Sequence, residues 1–417
     1  MKIVQAVSKF QIGAIPGHQS QEHLFTLKST MALYSMLNIS LIIQFWDISK
    51  YFDKESLRDG MNSLYEAGIC GKLYRLWFEM NKSNVISVKT GVGLSNEKAT
   101  GENICQGTIG GALLSSLNLD NGVQRVFESS LSEISYGNLQ LKPLTFQDDL
   151  ARMSTSVEAA QAGNNMVATV INRKQLEVNI DKSSFIILGN KRKVQEMRDY
   201  IKNSPLTLNN EEIKEKESEK YLGDTLHNKG SQESTNFTIK ERHWRVISAI
   251  LEIKSIVQDY KSNHIGGILT GVELWELAVL PMLLNNCGSW DVISPDSTKK
   301  LNDLQNTLLR YLLLTPRTTP IPALIWEFGM LPMEFRILIK KLCLTKHIMS
   351  LDTKSLAKQI FQIQQECNFP GLAKEAKKTI LELGLPDITN EDINKEWSKH
   401  RFKNKVKVAV SKNVKKN

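Results

Sequence analysis

Residues 41–46, LIIQFW, form an apolar run that ends in Asp47. Far along the chain a second apolar stretch, LTFQDDLARM (residues 144–153), is interrupted by two adjacent acids, Asp148 and Asp149. A short apolar run of this kind reads as a buried strand. Adjacent carboxylates repel, so their placement side by side where a strand turns needs a reason. One reason is a hairpin, because Asp is a common turn residue. The other is a divalent cation, which removes the repulsion. If the two strands are neighbours in one sheet, three carboxylates converge at one end of it. Hard oxygen ligands of this kind suit Mg²⁺, which shares its shell with substrate phosphates. Two such ions about 3.5–4 Å apart can activate an attacking hydroxyl and stabilise a leaving pyrophosphate. On the carboxylates alone, turn and metal site both stay open.

The rest of the chain supplies elements in a consistent order. A loop, QIGAIPGHQSQ, leads into a helix, EHLFTLKSTMALYSML. Asp53 reads as a helix N-cap with Glu55 in the first turn, and Leu57, Met61 and Leu64 repeat at helical spacing before Gly68. A second helix puts Leu73, Leu76, Trp77 and Met80 on one face. NVISVKTGV alternates like a strand, and Gly91-Val92-Gly93 reads as a hairpin. A helix is expected over 109–130 after the small-residue loop QGTIGG, and another near 156–175. LEVNIDKSSFIILG reads as a strand with a turn at Asp181, residues 210–220 as a solvated charged stretch, and KYLGDTL as a short strand. From about residue 236 the pattern is helical, with apolar stripes such as Ile247, Ile250, Leu251 and Ile256. The order suggests an α+β domain followed by a helical one.

Five stretches resemble, in order, the palm motifs of reverse transcriptases. FWDISKYFDKES resembles the first, where an Asp ends a strand and an aromatic follows five residues on. NICQGTIGGALLSSLNLD resembles the second, FQDDL the third, LEVNIDKSSFIILG the fourth with its Asn-x-x-Lys, and KYLGDTL the primer-grip motif. The resemblance is strongest to non-long-terminal-repeat (LINE-like) retrotransposon enzymes and covers residues from about 10 to 345. It implies an α+β right-hand polymerase palm, an antiparallel sheet with helices on one face, with partial fingers and a helical thumb. The corresponding divisions are 1–40 for partial fingers, 41–230 for the palm, 231–350 for the thumb and connection, and 351–417 for a helical C-terminal segment with a basic tail. The implied activity is RNA-directed DNA polymerisation, acting on an RNA template, a DNA primer and dNTP with two Mg²⁺ ions, or Mn²⁺. Asp47 and Asp148 would ligate the metals with Asp149 beside them, and Ile48 would offer its backbone carbonyl. Phe52 occupies the steric-gate position that excludes a 2′-hydroxyl. Gln106 and Gly107 would lie beside nucleotide and template, Lys182 would assist pyrophosphate departure, and Tyr221, Leu222 and Gly223 would place the primer terminus.

Several positions have plainer readings. Phe52 also fits a core residue, Lys182 a solvated turn lysine, and Tyr221–Gly223 an ordinary strand and turn. Trp46, Trp77, Trp244, Trp275 and Trp326 lie in apolar periodic contexts that suit core packing. Three positions depart from the family pattern: Gln147 replaces a usual Ala, Gly110-Gly111 replaces Ser-Pro and loosens the loop, and Tyr51 replaces a small residue. The apparent start inside the fingers suggests an N-terminally truncated element.

Composition narrows the compartment and the partners. Five scattered cysteines argue for reduced thiols, and MKIVQAVSKF lacks the apolar core of a signal peptide, so a nuclear or cytoplasmic, non-secreted protein is expected. The apolar stretch 265–284 contains Glu273 and Glu276, which argues against a membrane span. Net charge is +9, and residues 397–417 carry eight Lys or Arg and no acid, leaving 9 − 8 = +1 for the rest. Such a tail suits nucleic-acid contact, nuclear import or a solvated disordered end. The rivals are an RNA-dependent RNA polymerase, against which Phe52 argues, and a catalytically inactive nucleic-acid-binding remnant.

Overall fold

The run LIIQFW becomes strand β1 (Leu41–Trp46), and all six of its residues are buried. In the computed structural model β1 is the centre of a five-stranded sheet with β2 (Leu144–Phe146), β3 (Asp149–Ser154), β4 (Ser184–Leu188) and β5 (Lys214–Glu215), in the order β5-β4-β1-β3-β2. The described residues are 6–99, 103–104, 106–108, 110–127, 134–259, 264–291 and 293–414. They divide into two compact units, one of residues up to His23 together with Leu33–Glu219, the other of Leu24–Ala32 together with Lys220 onward.

A central strand has both edges paired and both faces covered, which is why β1 shows no polar alternation. Its one polar residue, Gln44, is satisfied inside: the amide nitrogen donates to the Ala160 carbonyl at 2.9 Å and to Asn164 Oδ1 at 2.6 Å. Trp46 donates its indole N–H to the same Asn164 oxygen at 3.0 Å. The pairs β1–β4, β1–β3 and β2–β3 are antiparallel, as expected, but β5 joins β4 in parallel. That fifth strand comes from the stretch expected to be merely solvated. Ile213 within it is buried, and Glu215 takes a bidentate contact from Arg198.

The first unit also contains α1 (Ser20–Met36, in part), α2 (Tyr51–Lys54), α3 (Leu57–Glu66), α4 (Gly71–Asn81), α5 (Gly111–Phe127), α6 (Val157–Arg173) and α7 (Lys191–Asn203). Ile42 and Trp46 of β1 and Phe185 and Ile187 of β4 share one core with Val123 and Phe127 of α5, Val167 and Ile171 of α6, and Val194 of α7. Each such fully buried side chain contributes about 1.5–3 kcal/mol. Helix α7 was not anticipated, because its apolar positions Val194, Met197 and Ile201 are sparse among charges. Asp53 is not an N-cap: Lys50 precedes α2, and Ser56 caps α3 by accepting from the Asp59 N–H. On α4 the expected inward face is largely open, with Leu73, Leu76 and Met80 exposed. NVISVKTGV divides into two short strands, and Gly91-Val92 form the turn of a hairpin that pairs Thr90 with Gly93.

Among its described residues the second unit is helical apart from one small hairpin, Ser218–Tyr221 with Asp224–His227, whose first strand begins in the other unit. Its helices are α8 (Ser231–Asp259), α9 (His264–Leu274), α10 (Leu280–Leu283), α11 (Pro295–Leu313), α12 (Ile321–Glu327), α13 (Met333–Ser350), α14 (Leu356–Glu366), α15 (Leu372–Glu382), α16 (Glu391–Glu396) and α17 (Lys399–Val414). A π-helical turn, Trp275–Val279, joins α9 to α10. Among the described residues one segment, Gly266–Leu283, is long and apolar enough to cross a membrane. Its Trp275, Val279, Leu280 and Leu283 pack into a core with Ile250, Leu304, Leu308 and Met333, and Glu276 is paired with Arg336. Trp275 is core as expected, but Trp244 and Trp326 are each 72% exposed, and two members of the expected stripe, Leu251 and Ile256, are also on the surface. The basic tail is a helix over the described part: Phe402, Val406 and Val410, one above the other at four-residue spacing, are buried against Ile339, Leu342 and Ile380.

Candidate functional site

The β1–β3 register decides where the acids fall. Trp46 pairs with Leu150, so one step further along β1 brings Asp47 level with Asp149. β2 and β3 form a two-residue hairpin in which Phe146 pairs with Asp149 and the turn is Gln147-Asp148. All three acids therefore reach the same edge of one sheet, and the hairpin and the acid cluster are one structure. Asp47, Ile48, Phe52, Gln106, Gln147, Asp148 and Lys182 line an open cleft of ≈ 700 Å³. Asp149, the first residue of β3, is not among the residues that line it. Gly107 follows Gln106 in the turn before α5, at φ +87 with open space where a Cβ would stand.

The loop after α6 fixes the end of β1. The Asn179 N–H donates to the Asp47 carbonyl at 2.8 Å, and the Asp47 N–H donates to Ser183 Oγ at 3.1 Å. Asn179 also accepts the Lys182 N–H at 3.2 Å, which explains the three-residue interval between them. Lys182 is exposed, with Nζ 3.9 Å from Asp47 Oδ2. Phe52 packs partly on the sheet core, edge-on to Tyr51 at 5.6 Å, and also borders the cleft.

The electrostatics are those of an acid cluster whose close cation, Lys182, is exposed and stands 3.9 Å from Asp47. Desolvation raises Asp148, and the Asp47 charge adds to the effect. Asp149 is solvent-exposed along one side, yet the protein packed around it, with Asp148 and Asp47, lifts its carboxyl to about 6. Among the described residues no three His, Cys, Asp or Glu side chains are gathered tightly enough to enclose a metal ion. Asp47 and Asp148 nonetheless supply hard carboxylate oxygens to one cleft, and mutual repulsion of this kind is what a divalent cation relieves. These two carboxylates are cleft side chains that could hold a hard divalent cation such as Mg²⁺ or Mn²⁺.

Two supports were not visible in the sequence. Tyr51 is buried, and its hydroxyl lies 2.9 Å from each of two acceptors, Glu55 Oε1 and the Ser115 carbonyl, which share its one proton. Glu55 also accepts from Ser115 Oγ and from Asn118 Nδ2. This network anchors α2, which carries Phe52, onto α5. Gly110, expected to loosen the loop, has φ +77 and lies so close to Trp77 that a Cβ would stand 2.7 Å from its ring. The second support is at the hairpin. Gln147 has φ +57, which costs a non-glycine residue about 1–3 kcal/mol, and its backbone is bound by Gln11.

Tyr221, Leu222 and Gly223 belong to the second unit. Leu222 and Gly223 form the turn of its hairpin, with φ +48 and +84. Asn286 Nδ2 donates to the Leu222 carbonyl at 2.8 Å, and Arg242 Nη2 donates to the Gly223 carbonyl at 2.6 Å. Arg242 also pairs with Asp224, which is fully buried and bonded as well to Lys28 at 2.7 Å and to the Trp290 indole at 3.1 Å. The turn is thus clamped from behind by a buried ionic cluster.

No family model matches the chain, and no curated protein does. Among solved structures, telomerase from Candida albicans in complex with the TWJ fragment of telomeric RNA is similar at 11% identity and a TM-score of 0.36, covering 87% of this chain and 54% of that one. Apo telomerase from Candida tropicalis is similar at 9% identity and a TM-score of 0.38, covering 84% of this chain and 57% of that one. This chain therefore spans little more than half the length of either. These likenesses are distant, and what the cleft can do follows from its own residues.

Proposed function

We propose that the chain is a reverse transcriptase of the non-long-terminal-repeat retrotransposon kind, an RNA-directed DNA polymerase joining dNTP to a primer 3′-hydroxyl on an RNA template. One observation carries this reading: Asp47, Phe52, Gln106, Asp148 and Lys182, from four separate motifs, line a single cleft at the end of one sheet. Asp47 and Asp148, with the Ile48 carbonyl, would hold two Mg²⁺ or Mn²⁺ ions, and Asp149 would add charge beside them. When bound, the ions activate the attacking hydroxyl and neutralise the leaving pyrophosphate. Phe52 presents its ring to the sugar and leaves no room for a 2′-hydroxyl. Gln106 and Gly107 border the nucleotide, and the bare backbone at Gly107 admits close approach. Lys182, held near Asp47, donates toward the departing phosphate. Tyr221, Leu222 and Gly223 place the primer end from their clamped turn.

The test is primer extension on an RNA template with Mg²⁺. The wild-type chain is expected to extend with dNTP, and Asp148→Ala to lose at least about 100-fold, because several kcal/mol of charge stabilisation disappear with a metal ligand. The second reading, a catalytically inactive nucleic-acid-binding remnant, draws on the absence among the described residues of a closed three-ligand group. It expects the wild-type chain and Asp148→Ala to show the same background while both bind RNA in a salt-sensitive way.

A further inference from the structure

The catalytic hairpin does not hold its own shape. Its first turn residue, Gln147, is the one with positive φ, and Asp148 is not, the sign pattern of a turn that favours glycine at that first position. A segment remote in sequence, residues 10–13, lies along the hairpin's outer strand. The Thr145 N–H donates to the Phe10 carbonyl at 2.9 Å, and the Ile12 N–H donates to the Thr145 carbonyl at 3.2 Å. Gln11 is 1% exposed, and its side chain spans the turn. Oε1 accepts from the Gln147 N–H at 3.0 Å and from the Gly13 N–H at 2.8 Å, while Nε2 donates to the Gln147 carbonyl at 3.3 Å. Gly13 is packed so closely that a Cβ would stand 2.2 Å from the Gln147 nitrogen, and its own carbonyl accepts from Ser116 Oγ of α5 at 2.8 Å.

We infer that Gln11 is a positioning residue for the acid-bearing turn: its amide pins both backbone polar groups of Gln147 in the left-handed conformation and thereby aims Asp148 into the cleft. The role in metal placement rests on the polymerase reading, whereas the brace itself does not. The amide group suits the task because one side chain must both accept and donate. Gly13 and Ser116 tie the brace to the helix that follows Gln106, so the nucleotide side of the cleft and the acids share one support. Gln147, which replaces a smaller residue of the resembling family, is tolerated at this φ because the brace satisfies its backbone.

The test compares wild type, Gln11→Met and the double variant Gln11→Met/Gln147→Gly. Methionine keeps the volume and removes both hydrogen-bonding functions. Hydrogen exchange over residues 144–151, calorimetric Mn²⁺ affinity, and kcat and KM for primer extension are measured on each. Gln11→Met is expected to exchange faster in that segment, to bind Mn²⁺ about tenfold more weakly and to lose about tenfold in kcat with KM for dNTP little changed. Glycine adopts positive φ without strain, so Gln147→Gly is expected to restore most of the Mn²⁺ affinity. Unchanged exchange in Gln11→Met overturns the brace. Faster exchange with unchanged Mn²⁺ affinity, or no recovery in the double variant, overturns the positioning role. Absence of Mn²⁺ binding in wild type overturns the polymerase reading, and the exchange result then decides the brace by itself.

Discussion

Phe52 on the short helix α2 and Glu55 just beyond its end illustrate how neighbouring side chains divide the work. Phe52 faces the cleft and the core at once, so trimming it changes the cleft with modest cost to the fold. Phe52→Ala is expected to lower the preference for dNTP over NTP by about tenfold or more, measured as the ratio of kcat/KM values. An unchanged ratio removes the steric-gate assignment. Glu55 is different, because it is buried and its carboxyl is raised above the usual range by desolvation, with the hydrogen bonds from Ser115, Asn118 and Tyr51 opposing that rise. A folded pKa above the unfolded one means that its contribution to stability is fully present below the usual Glu range and is lost as pH rises through the folded value. Glu55→Gln, which can keep the Asn118 contact, is expected to flatten this part of the pH–Tm curve and to be the more stable form at pH 8. Parallel curves for the two proteins would exclude the assignment.

At the scale of elements, burial pattern and charge pattern give opposite impressions of α17. Its lysines read as a solvated tail, yet Phe402, Val406 and Val410 are fully buried at four-residue spacing. The apolar stripe was in the sequence but was outweighed by the charges between its members. Val406→Asp puts an unpaired charge into that seam and is expected to cost about 3 kcal/mol or more, read by chemical denaturation, whereas Lys405→Asp on the exposed side is expected to change stability by less than about 0.5 kcal/mol. Equal effects of the two would show that α17 is not docked. The stretch 210–220 errs in the same direction: mostly charged, it supplies β5 because Ile213 is buried and Glu215 is matched by Arg198.

For the whole molecule, the division of the chain does not follow its sequence order, since Leu24–Ala32 counts with the second unit. Lys28 from that segment is one of two cations paired with the buried Asp224, and Ser29 accepts from Gln364 at 3.0 Å. A fragment of residues 220–417 therefore leaves Asp224 short of a partner, which at a buried site costs about 3–5 kcal/mol. The fragment is expected to melt well below the corresponding transition of the full chain, and a peptide of residues 20–36 to raise its Tm when added. A fragment that melts like the full chain would falsify that dependence. The sequence by itself determined that LIIQFW would be a buried strand, that Gly91-Val92 would turn a hairpin, and that Asp47, Asp148 and Asp149 were candidates for either a turn or a metal site, because strand patterning and turn residues are local properties; Lys182 joined them only through the family resemblance. The tertiary structure alone decided that Asp47 lies level with Asp149, that Asp148 and not Asp149 lines the cleft, and that Gln11 and the Tyr51–Glu55 network hold the site. The strand register and the Gln11 brace join segments more than a hundred residues apart, and the Tyr51–Glu55 network reaches about sixty residues along the chain to Ser115 and Asn118, so no local pattern in either segment records its partner.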